Sequence, residues 1–174
     1  ESFMHFATIT RFMPRKTEQK KTLDAFDRAI LRILQDDNKT PQRTISEAVN
    51  LSAAAVQRRI SALENAGVIA RNSAVVNPDT IPLTITAIVE LQLRDERAMT
   101  VDAAKTIFRN APEVQQCYYV TGGTSFILII VTSDMRTYEA LTRQLFATND
   151  LVASYRTVVA LDKVKTGTGI FIAE

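Results

Sequence analysis

Cysteine, histidine and tryptophan are almost missing from this chain: one Cys, one His and no Trp in 174 residues. A lone Cys117 excludes an internal disulfide and supplies no metal-ligand pattern, so a reducing cytoplasm is the expected compartment. Inside its apolar segment, Cys117 is expected to be a buried structural thiol and not a nucleophile. His5 stands near the N-terminus without companion ligands. Imidazole catalysis and zinc binding therefore have no residues to draw on, and neither a metal nor a cofactor is expected. No apolar run approaches the length of a bilayer-crossing helix, and the first 22 residues hold no uninterrupted apolar core of the secretory kind. A strong charge of one sign is missing too, with 21 Lys and Arg against 19 Asp and Glu. Residues 23–80 balance at seven against seven. Bulk charge does not announce a nucleic-acid binder, so any DNA-facing surface must come from the local placement of arginines.

What is present begins with an arm, residues 1–22, whose phenylalanines give way to a basic run from Arg15 to Lys21; the residues before Met4 read as a cloning remnant. From Leu23 the spacing turns helical: Leu23, Phe26, Ile30, Ile33 and Leu34 form one apolar face, with Asp24 and Asp27 at the end where the helix dipole favours anions. A short second helix follows, with Ile45, Ala48 and Val49 inward. Its start is expected at Thr40 with Pro41 in the first helical position, in preference to a capping box of Thr44 with Glu47. Asn50 tolerates the positive φ of a tight turn. In the next stretch, Leu51–Ile69, Ser52 is a capping residue, Val56, Ile60 and Leu63 fall at helical spacing, and Gly67 ends the run. Three amphipathic helices with a short turn before the third describe a helix-turn-helix, covering residues 23–76. Val68 to Val76 read as two extended pieces around Arg71-Asn72-Ser73, in the place of a wing. Residues 77–82, with Pro78 and Pro82, make the hinge.

The second half, residues 83–165, reads as strand, helix, strand, strand, helix, strand, before a tail at 166–174. Ile85, Ala87, Val89, Leu91 and Leu93 alternate with mostly polar residues, which is strand periodicity. Ala104, Ile107 and Phe108 mark a helix, Val114 to Val120 a strand, Thr121-Gly122-Gly123-Thr124 a hairpin turn. Phe126 to Val131 is apolar at every position. Tyr138, Leu141, Leu145 and Phe146 mark the second helix, and Val152 to Leu161 the last strand. That order is the split βαβ, or ferredoxin-like, arrangement, whose helices cover one sheet face. A strand apolar on both faces needs cover on the other side, and a second copy of the same sheet is the simplest cover, which predicts a homodimer.

Six runs, LDAFDRAILRILQDD, NLSAAAVQRRISALENAGVI, VVNPDTI, YYVTGG, SDMRTYEALTRQLF and RTVVALDKVK, resemble the Lrp/AsnC family of transcription regulators, the feast/famine proteins, in order and spacing over residues 23–165. The resemblance implies an α+β protein: an N-terminal winged helix-turn-helix domain, then a ferredoxin-like βαββαβ (RAM-type) domain that dimerises and responds to an amino acid or related small molecule. Dimers of such proteins associate into tetramers, octamers or larger rings. The implied function is sequence-specific regulation of transcription on double-stranded DNA, in the cytoplasm and away from membranes. Two other readings accompany it: an effector-independent architectural DNA-binding protein, and a sensor whose first domain no longer binds DNA. Siroheme decarboxylases resemble the family in both domains but handle their tetrapyrrole with histidines, and no histidine follows His5; the chain is expected not to be an enzyme.

The candidate DNA-binding residues are Ser52, Ala53, Ala54, Ala55, Gln57, Arg58 and Arg59. Arginine can read guanine bidentately and glutamine adenine. For Arg59, internal salt bridging is the competing role. Arg43, Lys39 and Arg71 are candidates for phosphate contact. The candidate effector residues are Gly122, Gly123, Thr124 and Ser125, with Thr157 from the last strand. In relatives this turn borders the effector pocket and carries acidic residues where this chain has Gly123 and Ser125. Losing both removes charge partners whose hydrogen bonds contribute about 1.5–3 kcal/mol each, so an ordinary amino acid is expected to bind weakly or give way to another ligand.

Overall fold

The computed structural model describes residues 21–77 and 80–173. The arm, apart from its last two residues, and Pro78 and Asp79 of the expected hinge lie outside them. The chain divides into two compact units. One runs through Ala74 and takes in the C-terminal segment from Gly167; the other is Val75–Thr166.

In the first unit, α1 (Ala25–Asp36), α2 (Gln42–Val49) and α3 (Ala53–Asn65) pack around Ile30, Ile45, Val49 and Val56, with Ile33, Leu34, Leu51 and Ile60 at the margin. Asp24 caps α1, its Oδ1 accepting from the Asp27 N–H at 2.8 Å. The α2 start differs by one residue from expectation. Pro41 is the N-cap and no side chain caps the helix. The Thr40 hydroxyl donates instead to the Asp37 carbonyl at 2.7 Å, which closes the preceding turn. Ala48, expected inward, is exposed. Asn50 takes the left-handed conformation, φ 54° and ψ 44°, and lets the chain reverse between α2 and α3. Ser52 caps α3 as its position predicts, accepting from the Ala55 N–H at 3.2 Å.

The expected wing has no paired strands: residues 70–77 run as irregular chain. Arg71-Asn72-Ser73 has no glycine at its centre to set a two-residue hairpin. The Asn72 amide turns back to donate to the Glu64 carboxylate on α3 at 3.0 Å. The C-terminal tail, by contrast, is docked. The Gln35 amide on α1 brackets the Ile170 main chain, accepting from its N–H at 2.9 Å and donating to its carbonyl at 3.1 Å.

The second unit is a four-stranded antiparallel sheet ordered β2-β3-β1-β4, from β1 (Ile85–Leu93), β2 (Val114–Tyr119), β3 (Phe126–Thr132) and β4 (Val152–Val159). Helices α4 (Ala98–Asn110) and α5 (Met135–Thr142) cover one face, and a π-helical turn, Arg143–Ala147, extends α5. Ala87, Val89 and Leu91 of β1 and Phe126, Leu128 and Ile130 of β3 are fully buried against Val101, Ala104, Phe108, Leu141 and Phe146. Phe108 meets Phe126 edge-on, ring centroids 5.3 Å apart. This is the ferredoxin-like topology that the element order predicts. On the open face, Ile88 pairs across to Ile129 and Val158. Ile127, Ile129 and Val131 are half-buried there, and Val158 is 46% exposed. Cys117 corrects the expectation of burial: it is exposed, because β2 is an edge strand with a single neighbour.

Asn50 gives a direct test of the turn. A β-branched residue pays the left-handed penalty of about 1–2 kcal/mol, so Asn50→Val is expected to lower stability by that amount in urea unfolding, whereas Asn50→Gly is expected to stay near wild type.

Candidate nucleic-acid interface and effector turn

The residues proposed for DNA divide into two groups. Ser52, Ala53, Ala54, Gln57 and Arg58 are exposed on one side of α3, and Ala55 is half-buried beside them. Small side chains at the helix start let the backbone approach a groove wall, and the amide and guanidinium follow one turn later. Gln57 is held by two neighbours: its oxygen accepts from the Gln42 amide on α2, and its Nε2 donates to the Ser61 hydroxyl at 3.4 Å. The Arg58 guanidinium has no side-chain partner among the described residues, which leaves its planar fork available.

Arg59 points the other way. Its Nη1 donates to Asp24 Oδ2 and to Asp27 Oδ1, each at 2.8 Å, and its guanidinium lies over the Phe26 ring, 5.3 Å from the centroid. Asp27 is 2% exposed, and Lys21 approaches its other oxygen at 3.6 Å. Hydrogen bonds from the Asp27 N–H and from Arg59 hold the Asp24 carboxyl below the usual carboxylate range, and the two carboxylates raise the Arg59 pKa in turn. Arg59 therefore has the internal salt-bridging role that competes with DNA contact. The residue next to the exposed Arg58 is the tie between α3 and α1, and helical rotation of about 100° per residue separates the two side chains. Of the phosphate candidates, Arg43 is ion-paired to Glu47 at 3.0 Å on the surface, and Lys39 and Arg71 are exposed.

In the second unit, Gly122 and Gly123 take φ of 103° and 91°, and both have open space where a side chain would stand. The hairpin closes through the Val120 N–H to the Ser125 carbonyl at 3.0 Å. Ser125 is buried, 1% exposed: its hydroxyl accepts from the Leu93 N–H at 2.9 Å and donates to the Glu96 carboxylate. Glu96 also accepts from the Tyr119 hydroxyl at 2.9 Å, and this contact raises the Tyr119 pKa. Sequence reasoning missed Glu96 as it missed Gln42, for neither carries a motif; Glu96 lies 29 residues from Ser125 and meets it only because β1 and β3 pair. Thr157 does not join the turn. It sits on β4, beyond β1 from the hairpin, where its hydroxyl bonds Tyr138 at 2.5 Å and lines a separate groove of about 470 Å³ with Met135, Glu139 and Tyr155.

A three-helix unit with a left-handed turn and an exposed third helix, followed by a one-sided ferredoxin-like sheet, defines a two-domain DNA-binding regulator. The comparisons agree. Residues 23–70 match the profile of a winged helix-turn-helix DNA-binding domain, and residues 86–170 that of the Lrp/AsnC ligand binding domain. The chain is 39% identical over 143 residues to an uncharacterized HTH-type transcriptional regulator of Sinorhizobium fredii, covering 82% of this chain and 85% of the relative. It superposes on an AsnC family transcriptional regulator from Agrobacterium tumefaciens with a TM-score of 0.80 at 26% identity, over 85% of this chain and 96% of that one. A transcriptional regulator from Neisseria meningitidis, solved in complex with L-methionine, gives 0.78 at 27% identity, over 86% and 96%. The chain belongs to the Lrp/AsnC family of transcriptional regulators, which are DNA-binding proteins and not enzymes.

Removing Arg59 leaves the buried Asp27 carboxylate with Lys21 alone. Arg59→Ala is expected to cost the first unit about 2–3 kcal/mol in chemical unfolding, and Arg58→Ala, with an exposed unpartnered side chain, less than about 0.5 kcal/mol.

Proposed function

We propose that this regulator reads duplex DNA with the exposed face of α3, entering the major groove at its Ser52–Ala55 end and reading bases with Gln57 and Arg58. The observation that carries the reading is the division between adjacent arginines: Arg59 is consumed by Asp24 and Asp27, while Arg58 stands exposed beside Gln57. Lys39, Arg43 and Arg71 are placed on the same unit's surface for the phosphates, which position a protein without reading sequence. The near-neutral charge of residues 23–80 fits a binder whose affinity rests on a few well-placed contacts. Sites selected from a random duplex pool provide the test. Arg58→Ala is expected to weaken the selected site by about 1–3 kcal/mol and relax one base position; unchanged affinity and salt slope would remove Arg58 from the interface.

The regulator acts as a homodimer, built on the open face of the sheet and associating further into tetramers or octamers. Support comes from the row Ile88, Ile129, Val158 with Ile127 and Val131, an apolar face that α4 and α5 leave uncovered. A dimer supplies two copies of α3 for half-sites separated by one helical turn. Ile129→Asp would bury a charge at the centre of that face and is expected to yield a monomer in light scattering; an unchanged mass would place the interface elsewhere. The Gly122–Ser125 turn serves as the effector site, a reading supported by the match of residues 86–170 to a ligand binding domain, by the neighbour solved with L-methionine, and by the N–H groups of Gly122, Gly123 and Thr124, which donate to no atom among the described residues. Thr157 has no part in that site within one protomer. The working compartment is the cytoplasm, where the DNA is.

A further inference from the structure

The open face of the sheet is apolar in one row and charged in the next. Pairing across the strands sets Ile129, Ile88 and Val158 side by side, and in the adjoining row Ile127, Glu90 and Arg156. Side chains two apart on a strand share a face, so the ion pair stands on the same uncovered surface as the apolar row. The Glu90 carboxylate accepts from Arg156 Nη2 at 2.8 Å and 3.0 Å and from Nε at 3.2 Å. That contact uses one edge of the guanidinium. The Nη1 N–H groups donate to no acceptor among the described residues, and the carboxylate keeps acceptor capacity of its own. The remaining polar side chains at strand positions of this face, Thr86, Gln92, Gln116, Tyr118 and Ser154, are uncharged. Glu90 and Arg156 are thus the charged groups of the face, one of each sign, side by side.

A second sheet laid on this face encloses the pair, and donors enclosed without an acceptor weaken the complex. In a two-fold contact each surface meets its own image. A face carrying one cation beside one anion is its own complement: turned about the axis, each copy can offer its unused Arg156 donors to the Glu90 of the other. We propose that Glu90 and Arg156 select the partner of the dimer, closing a ring of four alternating charges that admits a second copy of this chain and rejects related chains without the matched pair. The proposal rests on the homodimer reading of the open face and deepens it. Apolar contact is non-directional, so the row at Ile88 accepts any sheet with an apolar face. The charges set register and partner, because a wrong partner brings like charges together.

Pairwise co-expression of full chains distinguished by mass, read by native mass spectrometry, tests it. Glu90→Arg/Arg156→Glu keeps an intact pair within each chain and is expected to fold and dimerise with itself. Co-expressed with wild type it is expected to segregate: assemblies holding an odd number of either chain fall at least about tenfold below their statistical share, because like charges then face each other. The singly changed chains, Glu90→Arg and Arg156→Glu, give an independent reading. Each is expected to dimerise poorly alone and to pair with the other on co-expression, since one face is then wholly cationic and the other wholly anionic. Statistical mixing of the doubly changed chain with wild type, or no preference of the two singly changed chains for each other, would overturn the role of the pair and leave the dimer standing. A monomer mass for wild type in light scattering would overturn the homodimer itself, and the proposal with it.

Discussion

A buried carboxylate fixes the orientation of α3, the helix proposed to read DNA. Asp27 is 2% exposed inside a three-helix unit whose small core leaves little room for compensation elsewhere. A charge so placed must be paired, and its strongest partner is Arg59, reaching from α3 to α1 and capturing Asp24 on the way. The Ile30, Ile45, Val49 and Val56 core sets how closely α3 packs, but apolar contact is non-directional and tolerates rotation. The guanidinium, stacked on Phe26 and bonded to two fixed oxygens, does not tolerate it. One helical step away, Arg58 is thereby aimed outward with Gln57, and the surface proposed for DNA follows from an interaction on the opposite side of the helix.

The second unit follows a similar logic on a larger scale. Two helices cover one face of a four-stranded sheet, and the strands carry more apolar side chains than that face can use. The surplus, Ile88, Ile127, Ile129, Val131 and Val158, supports the proposal of a partner sheet. The hairpin between β2 and β3 is assembled from three places in the sequence, since β1 supplies the anchor for Ser125 and the loop after β1 supplies Glu96. The chain also returns to its first unit at Gly167, where Gln35 on α1 holds Ile170. The two units are therefore joined by two stretches of chain.

Periodicity made most of this architecture legible. The alternation in β1, the helical spacing of Ile30 and Ile33, the left-handed Asn50 and the capping Ser52 all stand where the residues place them, because each is a local effect. What stayed hidden was non-local. Helical spacing puts Arg59 nearer the apolar border than Arg58, but the partner that holds it is 32 residues away on α1. Glu96 lies in a charged loop with no motif. Nothing in the tail's own residues marks its contact with α1, where Gln35 and Arg32 both reach its carbonyls. Cys117 was misplaced because an apolar run cannot reveal that its strand lies at the edge of the sheet. In the wing segment, residues 70–77 run without paired strands, and Asn72 folds back onto Glu64 of α3, a contact that no local pattern shows.

Protection of guanine N7 from methylation, on a selected duplex with the full chain bound, tests the central claim most directly, because N7 lies in the major groove. Two copies of α3 presenting Gln57 and Arg58 predict protected guanines in two patches on one face of the duplex, centred about 10 base pairs apart or a multiple of that. Unprotected N7 positions throughout a bound site, or protection without that spacing, would contradict it.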